Sequence, residues 1–297
     1  MLGEALESVQ TQTHGDLEIL VCDDASTDTT TELVQSAQES DARIRYRRNA
    51  TRLGVSRNIH QGIMASTGDF FAICNDDDVW EPDFLGRSVA IMEEYPDVGT
   101  VFTDHWIMDR DGTIDNVATD ANSRQWGRST LPEGLHAPFA RLALVDQSVS
   151  PAVAALFRTS AIDTSDFPEA VGGNYDIWLG YLASRDGGSA WYIPARLTRY
   201  RVHGGSATAG GGIPLARSSA FVWERLLADP RLAPIHADLR RKLGRSLTSL
   251  GARLLRVGSR PEARWTLRKA FVVQPTVEHE PMGVGIEVRG NDSLRRS

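Results

Sequence analysis

Three aspartates in succession, Asp76-Asp77-Asp78 behind Asn75, follow the apolar run Phe70–Cys74. Adjacent carboxylates repel and resist ionisation together unless a cation or several donors stand near. Such a run of hard oxygen ligands suits Mg²⁺ or Mn²⁺, and an ion held there would neutralise a diphosphate leaving group. The plainer alternative is a solvated acidic turn. A second acidic pair, Asp23-Asp24, ends the apolar run Leu17–Cys22. Its simplest use is to open a turn and help cap the next helix. An aspartate at a strand tip can also accept a hydrogen bond from a nucleobase imide.

Arg57 stands in Leu53-Gly54-Val55-Ser56-Arg57-Asn58, just inside a helix start, where an arginine can bind phosphate or a pyrimidine ring or simply face solvent. Asp176, in Gly173-Asn174-Tyr175-Asp176-Ile177-Trp178, also opens a helix. There it either complements the helix dipole or takes a proton from an acceptor hydroxyl as general base. His203, after Tyr200-Arg201-Val202, leads into a glycine-rich loop and could reach a metal or phosphate.

The elements that must position these groups alternate. Strands are expected at Leu17–Cys22, Ile44–Arg47, Phe70–Cys74 and Val98–Thr103. Helices fall between them: from Ser26 or Thr27 to Gln38, over Val55–Ala65, and from Pro82 to Tyr95. This order implies an α/β fold, a mostly parallel sheet flanked by helices, with ligands at the carboxyl ends of the strands. Both acidic clusters fall there. Further on, Asp111-Gly112 signals a hairpin within 106–116, and the polar stretch 120–138 reads as a mobile loop. A helix is expected at Tyr175–Ala183, then two strands at Ala190–Ile193 and Leu197–Val202. Residues 1–205 read as one α/β unit, 206–215 as a glycine-rich linker and 216–276 as helical, with an antiparallel pair over Leu247–Pro275. The tail 277–297 lacks periodicity and is expected to be disordered.

With 297 residues and 41% hydrophobic content, the chain can bury a real core. Its net charge of −7 argues against a nucleic-acid groove. Cys22 and Cys74 end apolar runs and read as reduced core thiols. No apolar stretch approaches a membrane span and the start lacks signal-peptide features. A cytoplasmic location is therefore expected, and attachment to the inner face of the membrane is compatible with it.

Six segments occur in an order that resembles the family 2 glycosyltransferases. They are residues 6–12, Cys22 through Asp28, Gly54 through Asn58, Asn75 through Asp83, Tyr175 through Leu179, and Tyr200-Arg201-Val202-His203. The resemblance implies a GT-A fold, a nucleotide-diphosphate sugar donor, and a glycan, lipid-linked or other hydroxyl acceptor. It also implies a Mg²⁺ or Mn²⁺ cofactor and in-line transfer with inversion. Asp24, with Asp23, would hold the base and Arg57 the nucleotide. Asp76 would contact the ribose, Asp77 would bind the metal with help from His203, and Asp78 would support the turn. Many relatives carry an acidic pair where Gly173-Asn174 stands here. An amide cannot act as base, so Asp176 takes that role with Asn174 supporting it. The family also begins with a buried strand and a Pro-Thr-Tyr-Asn-like turn, whereas this sequence starts inside the following helix. The sheet is thus expected to lack an inner strand, through a misplaced start or a shortened chain. Two rivals fit less well: a nucleotidyltransferase wants a basic glycine-rich loop after the first strand, and a receiver domain wants a late-strand lysine. A degenerate, non-catalytic transferase or helical binding protein is the alternative of a different class.

Overall fold

A computed structural model describes residues 1–204 and 212–275. In chain order the main elements are α1 (Leu2–Gln10), β1 (Ile19–Asp23), α2 (Thr30–Ser40), β2 (Ile44–Arg48), α3 (Val55–Ala65), β3 (Phe70–Ala72), β4 (Val79–Trp80), α4 (Phe84–Glu94) and β5 (Thr100–Met108). They continue through α5 (Asn116–Gln125), β6 (Gly134–His136), β7 (Ala155–Arg158), α6 (Tyr175–Ser184) and β8 (Ala190–Arg201). The helices α7 (Gly212–Ala228), α8 (His236–Arg256) and α9 (Arg260–Val273) follow. This is the expected α/β architecture, a central sheet flanked by helices and followed by a helical region.

The sheet is mixed rather than mostly parallel. Its larger part has the order β3-β7-β5-β8-β4, with β6 on the same side of β8 as β4. The pair β5–β8 is parallel, while β7 inserts antiparallel between β3 and β5. Its sense reverses because β7 follows a long excursion rather than a simple crossover helix. The remaining strands, β1 and β2, form a separate parallel pair. Among the described residues β1 pairs only with β2 and β3 only with β7. Among the described residues the sheet is therefore in two parts, β1 with β2 and the larger mixed sheet. Strand β5 lies at the centre of the larger sheet, and its burial is almost continuous, as suits a strand covered on both faces.

Two further expectations are corrected. The stretch 120–138 is not a mobile loop, since it holds most of α5, a 3₁₀ turn at Arg128–Thr130 and β6. Asp115 caps α5 by accepting from the Ala118 amide. Arg128, fully buried, then pins the segment through a 2.7 Å pair with Asp104. The two strands expected at 190–202 are the single strand β8. Pro194 is tolerated because the β5–β8 register shifts at Thr103/Asp104, opposite the proline.

The helical region is not a detached unit. Trp223 and Leu226 of α7 and Leu239 and Leu243 of α8 share one apolar core with Phe139, Trp178 and Phe157. Helix α9 packs along α8, so close that a side chain at Gly251 would meet Leu267 at 2.6 Å, which matches the expected antiparallel pair. Residues 212–215, expected as linker, open α7. The rest of that linker, 206–211, and the tail 277–297 lie outside the described residues. Cys22 and Cys74 are both free thiols, partly buried.

Candidate active site

The acidic turn sits between β3 and β4 and is built by neighbours far away in sequence. Asp78 is completely buried. It accepts from the Arg201 amide (3.0 Å) and from Asn75 Nδ2 (3.0 Å). Burial, followed by the charges of Asp77 and Asp76, overcomes those donors and pushes its pKa up to about 7. Asp76 keeps an open side, but crowding by protein and then the Asp77 charge raise its pKa also. Asp77 and His203, 126 residues apart, converge with Nε2 and Oδ2 at 3.0 Å. Arg201 holds the arrangement from behind. Its buried guanidinium donates to the Asp77 carbonyl (2.7 Å), to the Arg110 carbonyl (3.0 Å) and to Glu4 of α1 (2.5 Å).

Asn75 connects this turn to the proposed base. Its Oδ1 accepts from the Tyr175 hydroxyl at 2.8 Å, so the first turn of α6 is tied to the acidic turn. Asp176 is the next residue, half-buried, with its carboxylate beside its own amide and that of Ile177, which favour the charged form. Burial outweighs the nearby amides and raises its pKa. Ahead of it, Gly172 adopts φ 52° where the chain passes α7; a side chain there would meet Ser218 at 3.1 Å. Asn174, expected to support Asp176, is buried and donates its amide to Ser218 Oγ (2.7 Å). That bond anchors the segment just ahead of Asp176 to α7.

Asp23 and Asp24 are turned toward their own protein. Asp23 accepts from the Ser26 amide (2.7 Å), the Tyr46 hydroxyl (2.6 Å) and Arg48 Nε (3.1 Å). Asp24 accepts from Asn49 Nδ2 (3.0 Å) and from the amides of Leu53 (2.7 Å) and Gly54 (2.8 Å). Burial works to raise both pKa values, but these donors win and both are lowered. Asp24 thereby fixes the start of α3, where Gly54 has φ 85°. Arg57, one turn in, has a half-exposed side chain 3.5 Å from Glu169. Ser56 Oγ donates to the Pro168 carbonyl at 3.3 Å, so α3 abuts the segment that leads to Asp176.

The acidic turn, His203, Asp176 and Arg57 thus lie on segments that contact one another, and Asp24 braces the start of the helix that carries Arg57. Sequence reasoning missed the positioning residues Arg201, Glu4, Tyr175 and Asn49. Tyr175 and Arg201 lay inside segments already singled out, and only their partners were hidden. Among the described residues no group of three or more His, Cys, Asp or Glu gathers as a ready metal site. The Asp77–His203 pair, with Asp76 and Asp78 beside it, offers the oxygen and nitrogen donors that a divalent cation would take.

The family model for glycosyl transferase family 2 matches residues 1–150. The chain belongs to this family. It is 34% identical over 119 residues to an uncharacterized glycosyltransferase of Nostoc sp., a match covering 40% of this chain and 37% of that protein. It is 39% identical over 79 residues to the GalNAc(5)-diNAcBac-PP-undecaprenol beta-1,3-glucosyltransferase of Campylobacter jejuni, covering 26% of each. These matches span well under half of the relatives' length. Among solved structures, S. aureus TarS 1–349 in complex with UDP-GlcNAc superposes with a TM-score of 0.61 at 14% identity, covering 91% of this chain and 86% of that one. The mannosyltransferase PcManGT of Pyrobaculum calidifontis, in complex with GDP-Man and Mn²⁺, gives 0.51 at 18% identity, covering 92% and 81%. At such identities the likeness shows the fold, which is that of GT-A glycosyltransferases.

Proposed function

We propose that this chain transfers a sugar from a nucleotide-diphosphate donor to an acceptor hydroxyl, with inversion and with Mg²⁺ or Mn²⁺. One observation carries the reading: Asp77 and His203 converge on a turn whose neighbouring carboxylates are under-compensated, and a hydrogen bond ties that turn to the helix bearing Asp176. A bound divalent ion, held by Asp77 and His203, would neutralise charge on the departing diphosphate.

Asp176 accepts the proton of the acceptor hydroxyl as its oxygen bonds to the anomeric carbon. The bond from that carbon to the diphosphate breaks on the opposite face. A raised pKa makes Asp176 the stronger base for this step. Arg57 offers a cation for the nucleotide, and Asp76 an exposed carboxylate for the ribose. Asp78 shapes the turn from within. Asp23 and Asp24 hold the base-binding wall in place, and any direct contact with the base adds to that bracing. Asn174 supports the base by anchoring the segment before it. The acceptor is a glycan or a lipid-linked saccharide, as the undecaprenol-linked substrate in the name of the Campylobacter relative suggests. With such reactants the work belongs in the cytoplasm, at the inner face of the membrane.

Titration calorimetry of UDP- and GDP-sugars with and without Mn²⁺ tests this reading. Binding of at least one donor, strengthened by Mn²⁺, is expected. A folded protein that binds none under either condition would instead be a degenerate transferase.

A further inference from the structure

The charge of this chain is strongly segregated. Residues 236–275 carry ten Lys and Arg against two Asp and Glu, although the whole chain stands at −7. Both acids in that stretch are already paired: Asp238 with Arg141 (2.8 Å) and Glu262 with Arg217 of α7 (2.6 Å). Of the ten cations, Lys242 is turned inward against Gln147 and Trp223 and Lys269 pairs with Glu224 of α7, which leaves the excess to arginines such as Arg264 and Arg268.

Helix α9 shows what accompanies it. Ala263, Thr266 and Ala270 form its buried stripe. On an ordinary surface helix the opposite face would be polar. Here Arg264, Arg268, Phe271 and Val272 recur at helical spacing, with Trp265 beside them. Trp265 is 62% exposed, Phe271 66% and Val272 77%. Leu255 at the end of α8 joins Leu267, Phe271 and Val272 in an apolar groove edged by Arg264 and Arg268. Lys269 lies 5.0 Å from the Trp265 ring centre, the other side of the same basic and aromatic surface.

We infer that this outward face of α9, with the end of α8, docks on an anionic phospholipid bilayer. Exposed aromatic and aliphatic side chains interleaved with arginines are the composition of a helix lying in the membrane interface, where apolar groups enter the acyl boundary and cations meet lipid phosphates. No helix among the described residues is long and apolar enough to cross a membrane, so the contact is peripheral. A second copy of the chain fits this face less well. A two-fold interface would set Arg264 and Arg268 against their own images, and among the described residues no acid is paired with either. The inference shares with the transferase reading only a location at the membrane. Its test uses neither donor nor turnover, so either idea can fail alone.

The experiment is co-sedimentation of the full chain with vesicles of phosphatidylcholine alone or mixed with phosphatidylglycerol. Binding is expected only to the mixed vesicles and should weaken as salt rises. The double variant Arg264→Glu/Arg268→Glu should lose at least about tenfold in binding. Phe271→Ser/Val272→Ser should abolish the salt-resistant part. Because these side chains are exposed, both variants should keep the wild-type melting temperature. The inference is overturned if the wild type ignores anionic vesicles or if both variants bind as the wild type does. It is also overturned if sedimentation velocity shows a wild-type dimer that Phe271→Ser/Val272→Ser converts to monomer, which would make the face a self-interface.

Discussion

Two acidic turns, each following a partly buried strand, look alike in sequence and differ in how much their own protein gives them. Asp23 and Asp24 accept six hydrogen bonds between them from side chains and amides. Their pKa values fall as a result. Asp78 accepts two, Asp77 faces a histidine, and the carboxylates on either side of Asp77 have raised pKa values. The first turn is complete as folded. The second is compensated less by its own protein, and that difference is the physical ground for proposing a cation there. A count of protein donors thus distinguishes two turns that residue type alone does not.

The largest expected effect comes from the incomplete turn. Asp77→Asn should cost at least about 10²-fold in Mn²⁺-dependent turnover, because a metal supplies several kcal/mol to a departing diphosphate. Metal-free stability should hold or rise, since one of three crowded charges is gone. Full Mn²⁺-dependent turnover in this variant would remove the metal assignment. The same turn should leave a mark on stability against pH. The folded pKa of Asp78 lies above its ordinary 3.8, at about 7. Between those values the folded state binds the extra proton, so stability should fall as pH rises from about 4 to 7. The fall is of order 2 to 4 kcal/mol. Denaturant titrations in chelator across that range would read it, and Asp78→Asn should flatten the slope.

Asp176→Asn should cut transfer by about 10²-fold, the usual loss for a positioned base. Donor affinity measured by calorimetry should stay put. With the native residue, kcat should rise with pH through a pKa above the ordinary carboxylate value, the direction in which burial moves it. If Asp176 only complements the dipole of α6, the variant loses about 0.3 to 1 kcal/mol of stability and keeps its rate per folded molecule.

Local signals were legible and distant ones were not. Helix α3 runs over Val55–Ala65, the bounds its apolar spacing and Gly54 predict. The acidic run and its nearness to His203 also follow the order of segments. Pro194 reads as a strand break, yet β6 ends its pairing with β8 at Tyr192 and β4 begins its own at Thr198. A proline between them gives up no ladder bond on that side. The segment around Arg128 looks like a loop because its anchor, Asp104, lies 24 residues upstream. Asp24 is the plainest case, since its donors Leu53 and Gly54 lie about thirty residues on. Nothing near Asp24 in the sequence says that its oxygens are already taken.

That residue also gives the smallest and most discriminating prediction. Asp24→Asn keeps one oxygen, which can still serve Asn49 and Leu53, but places an amide opposite the Gly54 N–H. Losing one charge-assisted hydrogen bond to a partly buried carboxylate costs about 1.5 kcal/mol. The sign with pH follows from the lowered pKa: the native contribution is present above the unfolded value near 4 and is lost as pH falls through the folded one. The stability gap between wild type and variant should therefore be full at neutral pH and close in acid. Thermal melts of both proteins across that range measure it. Donor affinity should drop only as far as the loosened start of α3 displaces Arg57, and the milder variant Leu53→Ala, which keeps the amide, should leave both unchanged. An unaltered melting temperature with donor binding lost would mean that the Asp24 oxygens serve the nucleotide rather than the loop. The two acidic turns would then be alike after all.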